Sequence, residues 1–136
     1  MSYFINPVED DGCVFLSYEG ELPPVEFSAA RYEANGVLDR QHWNRMVIDV
    51  TQLQSVLTPP QLFSYAKALS SDVPLGARVA LVVRPEQVRS VRLVERVASN
   101  DGVSVTCFLD PEEATDWVKQ TKPPRRTVSR NRKEKP

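Results

Sequence analysis

The side chains best able to bear chemistry cluster around one junction: Asp49 at the end of the apolar run Arg45-Met46-Val47-Ile48, and Thr58-Pro59-Pro60 nine residues later. A hydroxyl at a helix start could hold a phosphate, because free amides and the helix dipole stabilise an anion there. The same hydroxyl could instead cap the helix by accepting from a backbone amide. Pro59 and Pro60 lack the amide hydrogens a phosphate would use, so capping is the expected role of Thr58. Ser55 lies in the connector with no helix behind it and is the poorer acceptor. A carboxylate buried without a partner is costly, so Asp49 is expected to accept bonds from Thr51 or nearby amides and fix the connector. No second acid, histidine or nucleophile accompanies it, which favours a structural over a catalytic role.

Elsewhere the chemistry is sparse. His42 is the only histidine, and its neighbours supply no triad or metal set. The five glycines form no phosphate-binding pattern. Cys13 and Cys107 sit far apart in apolar surroundings and read as buried free thiols of a reducing compartment. These patterns lead us to expect no catalytic residue, no metal and no cofactor. Arg89, Arg92 and Arg96 recur at spacings of three and four, opposite a row of valines. With Arg84 before them they could meet an acidic protein, a phosphate or an anionic lipid surface, although such stripes are usually solvated. Glu86 and Glu95 are the carboxylates placed to pair with them.

The elements that must position these groups follow from patterning. The chain has 136 residues, enough for one domain. Its opening residues, 1–12, are polar and read as an arm ending in the Asp10-Asp11-Gly12 turn. They carry no signal-peptide pattern, and no apolar run is long enough to span a membrane. A strand is expected over 13–19, then a helix over 23–35 that ends at Asn35-Gly36 and gathers Val25, Ala29 and Tyr32 on one face. Residues 37–44 read as irregular helix. Further strands fall at 45–50, 77–83 and 103–108, with helices at 60–70, 85–100 and 110–120. Leu62, Ala66 and Leu69 form a core stripe on the second helix; Val88, Val91, Val94, Val97 and Ala98 do so on the third. Asp110 with Pro111 behind it marks the last helix start, and Trp117 is expected in the core or at its rim.

Such alternation implies an α/β fold: a small, mixed, mainly parallel sheet of four to five strands packed with helices. The domain is expected over 13–120. Beyond it, 121–136 carries seven basic residues against Glu134 alone, which leaves an acidic body with a net charge of −7. That segment is read as a disordered basic tail in which Arg126 and Ser129 have the spacing of a basic-directed kinase site. An acidic body with a basic tail is not the charge pattern of a specific nucleic-acid binder.

The order of Tyr18-Glu19-Gly20-Glu21-Leu22, "MVIDVTQL" (46–53), "GARVALVV" (76–83), "PEQVRSVRLVE" (85–95) and "VTCFLDPEEATDWV" (105–118) resembles the STAS domain (sulfate transporter and anti-sigma-factor antagonist). The likeness is to its small stand-alone SpoIIAA-like bacterial branch, and it spans roughly 13–118. It implies helices largely on one sheet face, a cytoplasmic bacterial protein, and regulation by binding a protein partner rather than catalysis. Members that antagonise anti-sigma factors carry Asp-Ser-Ser-Gly, with a phosphorylated serine, where this chain has Leu57-Thr58-Pro59-Pro60; only the Thr58 hydroxyl is kept. Other SpoIIAA-like members resemble lipid carriers, which implies an alternative role as carrier or sensor of an apolar ligand or membrane surface. Expected partner contacts are Asp49, Thr51, Arg84, Arg89, Arg92 and Arg96, at the sheet rim where strands run into loops. An apolar pocket would be lined by Phe27, Phe63 and Tyr65. A homodimer is left open.

Overall fold

In a computed structural model, which describes residues 2–120, the chain forms five strands and four α-helices. The basic tail, with Arg126 and Ser129, lies outside the described residues. The strands are β1 (Ser2–Val8), β2 (Cys13–Gly20), β3 (Arg45–Leu53), β4 (Arg78–Val82) and β5 (Ser104–Phe108). The helices are α1 (Pro24–Gln41), α2 (Pro59–Asp72), α3 (Val88–Asn100) and α4 (Pro111–Lys119). They build one sheet in the order β1-β2-β3-β4-β5. β1 runs antiparallel to β2, and each later pair is parallel. The sheet is therefore mixed and mainly parallel, as the alternation implies.

Each parallel step goes one place in the same direction. Right-handed crossovers then put α1, α2 and α3 on one face of the sheet. Strand alternation divides the core accordingly. Val14, Leu16, Tyr18, Met46, Ile48, Val79 and Leu81 join the three-helix side. Cys13, Val47, Ala80 and Val82 face the other way and are covered by Ala114 and Val118 of α4. Both faces of β3 and β4 are thus apolar, which explains their unbroken runs. α4 is also fixed at its far end, where Trp117 packs on Phe108 with ring centroids 5.6 Å apart and lies 4.0 Å beneath the Arg78 guanidinium. The core-rim reading of Trp117 holds.

The N-terminal segment departs from expectation. Residues read as a polar arm form the edge strand β1, with Ser2 opposite Glu19 and Val8 opposite Cys13. Tyr3 and Ile5 reach the three-helix core, while Phe4 and Asn6 point outward. Alternation is the physical reason: a one-sided edge strand needs only every second residue to be apolar. Helix α1 also runs on past Asn35-Gly36 to Gln41, absorbing the segment expected to be irregular. His42 stops it in the left-handed conformation at φ 60°, and its amide bonds back to Leu38 and Asp39 carbonyls. The expected inner face of α1 is the outer one, since Tyr32 is 82% exposed and Val25 is exposed as well. Phe27, Ala30, Ala34, Val37 and Leu38 are buried instead. β3 extends to Leu53, three residues beyond the expected strand end, so the connector to α2 is only 54–58.

Candidate functional site: the carboxyl edge of the sheet

The Asp49–Thr58 junction lies where β3 and β4 end. Asp49 Oδ1 accepts from the Thr51 amide at 2.8 Å and from the Thr51 hydroxyl at 2.6 Å. The carboxylate therefore folds onto its own strand: the expected bonds to Thr51 are made, but they lie within β3 and not in the connector. Ser55 Oγ accepts from the Leu22 amide at 2.8 Å, tying the connector to the chain end that leaves β2. Thr58 caps α2: its hydroxyl accepts from the Gln61 amide at 3.3 Å, and the Gln61 side chain accepts from the Thr58 amide at 2.8 Å. This reciprocal capping box satisfies two donors that the helix start would otherwise leave open.

Arg84 is held rather than displayed. Its Nη1 donates to the Thr51 carbonyl and, at 3.3 Å, to that of Leu53; its Nε donates to Glu86 at 2.8 Å. Hydrogen bonding from its own backbone amide, and then this bond from Arg84, hold the Glu86 carboxyl below its usual range. Gln87 donates to the Val50 carbonyl at 2.9 Å and accepts from the Arg84 amide. The β4–α3 link, with its 3-10 turn Pro85–Gln87, is thus clamped onto the end of β3. Arg89, Arg92 and Arg96 are exposed along α3. Glu95, expected to pair with them, accepts instead from the Cys107 amide at 2.6 Å on edge strand β5.

Beneath the connector lies a cavity of about 210 Å³ between α2, α3 and the sheet. Its lining includes the buried Ile48, Leu62, Leu81 and Val94 together with Phe27, Tyr18 and Tyr65. Val56, Leu57, Arg84 and Gln87 lie at its mouth. A second depression, of about 460 Å³, runs between α1 and α2 past Arg31 and Ser64 and shares Phe27, Leu57 and Tyr65 with the first. Phe63, expected to line such a pocket with Phe27 and Tyr65, lies on the outer side of α2 and is 50% exposed. Its neighbour Leu62 takes the inward position.

Tyr18 and Tyr65 were the polar feature hardest to see in sequence. Their hydroxyls meet at 3.0 Å, joining β2 to α2 across 47 positions. Burial pushes both phenols up from their ordinary value, so both are protonated donors at neutral pH. The ring of Phe27 packs against both, 4.9 Å from Tyr18 and 6.3 Å from Tyr65 by centroid. Among the described residues no three His, Cys, Asp or Glu side chains gather as a metal site. No helix among them is long and apolar enough to cross a membrane.

Solved structures share this architecture. An anti-sigma factor antagonist from Mycobacterium paratuberculosis superimposes with a TM-score of 0.60 at 18% identity, over 87% of this chain and 95% of its own. An uncharacterised DUF3478-family protein with a SpoIIAA-like fold, from Shewanella loihica, gives 0.55 at 18% identity, over 86% of this chain and 92% of its own. The fold is therefore SpoIIAA-like. No family model matches the chain, and no curated protein matches it significantly.

Proposed function

We propose that the protein is a non-catalytic regulatory module of the STAS type that acts by binding a protein partner at the carboxyl edge of its sheet. The observation that carries this reading is how the edge is built. Asp49, Thr51, Ser55, Thr58, Arg84 and Gln87 are all engaged in holding backbone. The connector presents Val56 at 92% exposure, and the helix that follows it presents Phe63, also exposed. Rigid loops carrying exposed apolar side chains suit association, because little ordering entropy remains to be lost on binding. Likeness in fold to an anti-sigma factor antagonist supports a partner from that kind of regulatory circuit. In this reading Asp49, Thr51 and Arg84 position the contact loop rather than touch the partner. Arg89, in the first turn of α3, lies nearest the edge, with Arg92 and Arg96 further along the helix, and this stripe favours an acidic partner. Thr58 serves as the cap and not as a phosphoacceptor.

Affinity capture from the native cell tests this. A partner should be retained by wild type and by Leu75→Asp, a change at a 99% exposed site on the opposite, amino edge. It should be lost by Val56→Asp. Equal retention by both variants would contradict the edge as the contact surface.

A second reading, a carrier or sensor of an apolar ligand, is favoured by the cavity alone. An apolar cavity of about 150 Å³ can hold benzene, and this one is larger. Native mass spectrometry of the purified protein should then show a bound small molecule. Protein that carries none and takes up no apolar probe would rule this second reading out.

A further inference from the structure

The cavity's polar groups specify what it would hold. This step rests on the second reading above and adds the chemical class of the ligand. The Tyr18 and Tyr65 hydroxyls carry one proton each, and a single hydrogen bond joins them at 3.0 Å. One proton fills that bond and the other has no acceptor among the described residues. Both residues line the cavity. Tyr18 is buried and Tyr65 half-buried; a donor withdrawn from water without an acceptor is costly, so the pair calls for an acceptor from outside.

The charges around the cavity decide what kind of acceptor. Arg31 lines the neighbouring depression rather than the cavity, 5.6 Å from the Tyr65 ring centre, and is paired with Asp72 at 3.3 Å. Arg84, at the mouth, is paired with Glu86 at 2.8 Å. Each cation already has its carboxylate, so an anionic head group would enter an apolar space with no unmatched positive charge to receive it. A neutral acceptor avoids that cost.

We infer that the cavity beneath the 54–58 connector is a site for a small, neutral, carbonyl-bearing apolar molecule, its carbonyl oxygen accepting from the Tyr18–Tyr65 hydroxyl pair. A ketone, ester or amide on one aromatic ring or a short alkyl chain has the required size and polarity. The carbonyl completes a chain of two donors and leaves the rest of the molecule against Ile48, Leu62, Leu81 and Val94.

Titration of the full chain with acetophenone, ethylbenzene and benzoate, followed by calorimetry or amide chemical shifts, tests this. Acetophenone should bind about fivefold more tightly than ethylbenzene, the advantage of one net hydrogen bond, and benzoate should bind more weakly than either. The double variant Tyr18→Phe/Tyr65→Phe keeps both rings and removes both hydroxyls, so it should bind the two neutral probes equally. Equal affinity of wild type for those probes would overturn carbonyl recognition and leave an apolar cavity standing. Tightest binding by benzoate would overturn the neutral ligand. A preference for acetophenone that survives in the double variant would overturn the role of the tyrosine pair. Binding of no probe would remove the carrier reading itself, and this proposal with it. The wild-type series decides the matter even if the double variant fails to fold.

Discussion

Thr58 shows how one hydroxyl can serve two purposes and be committed to one. Its oxygen is spent on the Gln61 amide, and the prolines behind it offer no donors to a phosphate. Thr58→Ala should therefore cost about 1 kcal/mol of stability and Thr58→Ser almost nothing, as read by urea unfolding. A larger loss of partner binding than of stability in Thr58→Ala would point instead to direct contact. Asn35 is the opposite case. Both polar atoms of its side chain are buried without a hydrogen-bond partner among the described residues. Asn35→Leu, which removes the orphaned groups at similar volume, should leave stability unchanged or raise it by about 1 kcal/mol. A clear loss would mean that the amide has a partner in solution. The thiols give a pH dependence. Burial pushes Cys13 up to about 12, and burial with the nearby Glu95 carboxylate pushes Cys107 up to about 12, both from 9.0. Below pH 9 the folded and unfolded chains both keep these protons, and stability is unaffected by them. As pH rises from about 9 toward 12 the unfolded chain loses protons that the folded chain retains, so stability falls. Urea midpoints under reducing conditions should drop over that window, and drop less in Cys13→Ala/Cys107→Ala. An equal drop in both proteins would show that the thiols are not the cause.

Helix α1 marks where the sequence could be read and where it could not. Its start at the prolines was legible, because proline suits the first helical turn. Its inner face was not. Val25, Ala29 and Tyr32 have the spacing of a core stripe, yet the sheet receives Phe27, Ala30, Ala34 and Leu38. Small alanines let α1 lie close to β2, and periodicity weighted by size misses a stripe made of small residues. Ala34→Leu should thus cost about 1–3 kcal/mol by overpacking, whereas Ala29→Leu, on the exposed side, should be near neutral. The reverse order would restore the face expected from sequence. The Asn35-Gly36 pair failed as a stop because the helix continued to bury Val37 and Leu38 beyond it. By contrast α2, α3 and the parallel strands were plain, since each buries a regular apolar stripe or run. Strand β5 shows a feature that only coordinates reveal. It lies at the sheet edge, and Glu95 of α3 covers its Cys107 amide. Such a cover limits pairing with another chain.

Taken together, the chain is a layered sheet whose one crowded edge is organised for holding its own loops. The alternation and the mainly parallel sheet follow from four apolar runs with short links and were readable; the strand order, with β1 at its edge, and the placing of α4 alone on the far face come from the coordinates. The site was readable in part: Asp49 with Thr51, and Thr58 as a cap, are local pairs a few positions apart. The cavity and the Tyr18–Tyr65 pair were not, because they join residues 47 positions apart whose meeting depends on the sheet order. Phe63 is the one miss on α2: Leu62, Ala66 and Leu69 take the buried stripe as expected, and Phe63 is left on the outer side, away from the pocket it was expected to line. An edge that presents Val56 and uses its polar groups internally is suited to recognition. Photo-cross-linking in the native cell reports on that recognition directly: a benzophenone amino acid replaces Val56 in one protein and Leu75 in another. A discrete cross-linked partner at position 56 and none at position 75 is the expected result. Cross-linking at 75 alone, or none at either position, would contradict binding through the carboxyl edge.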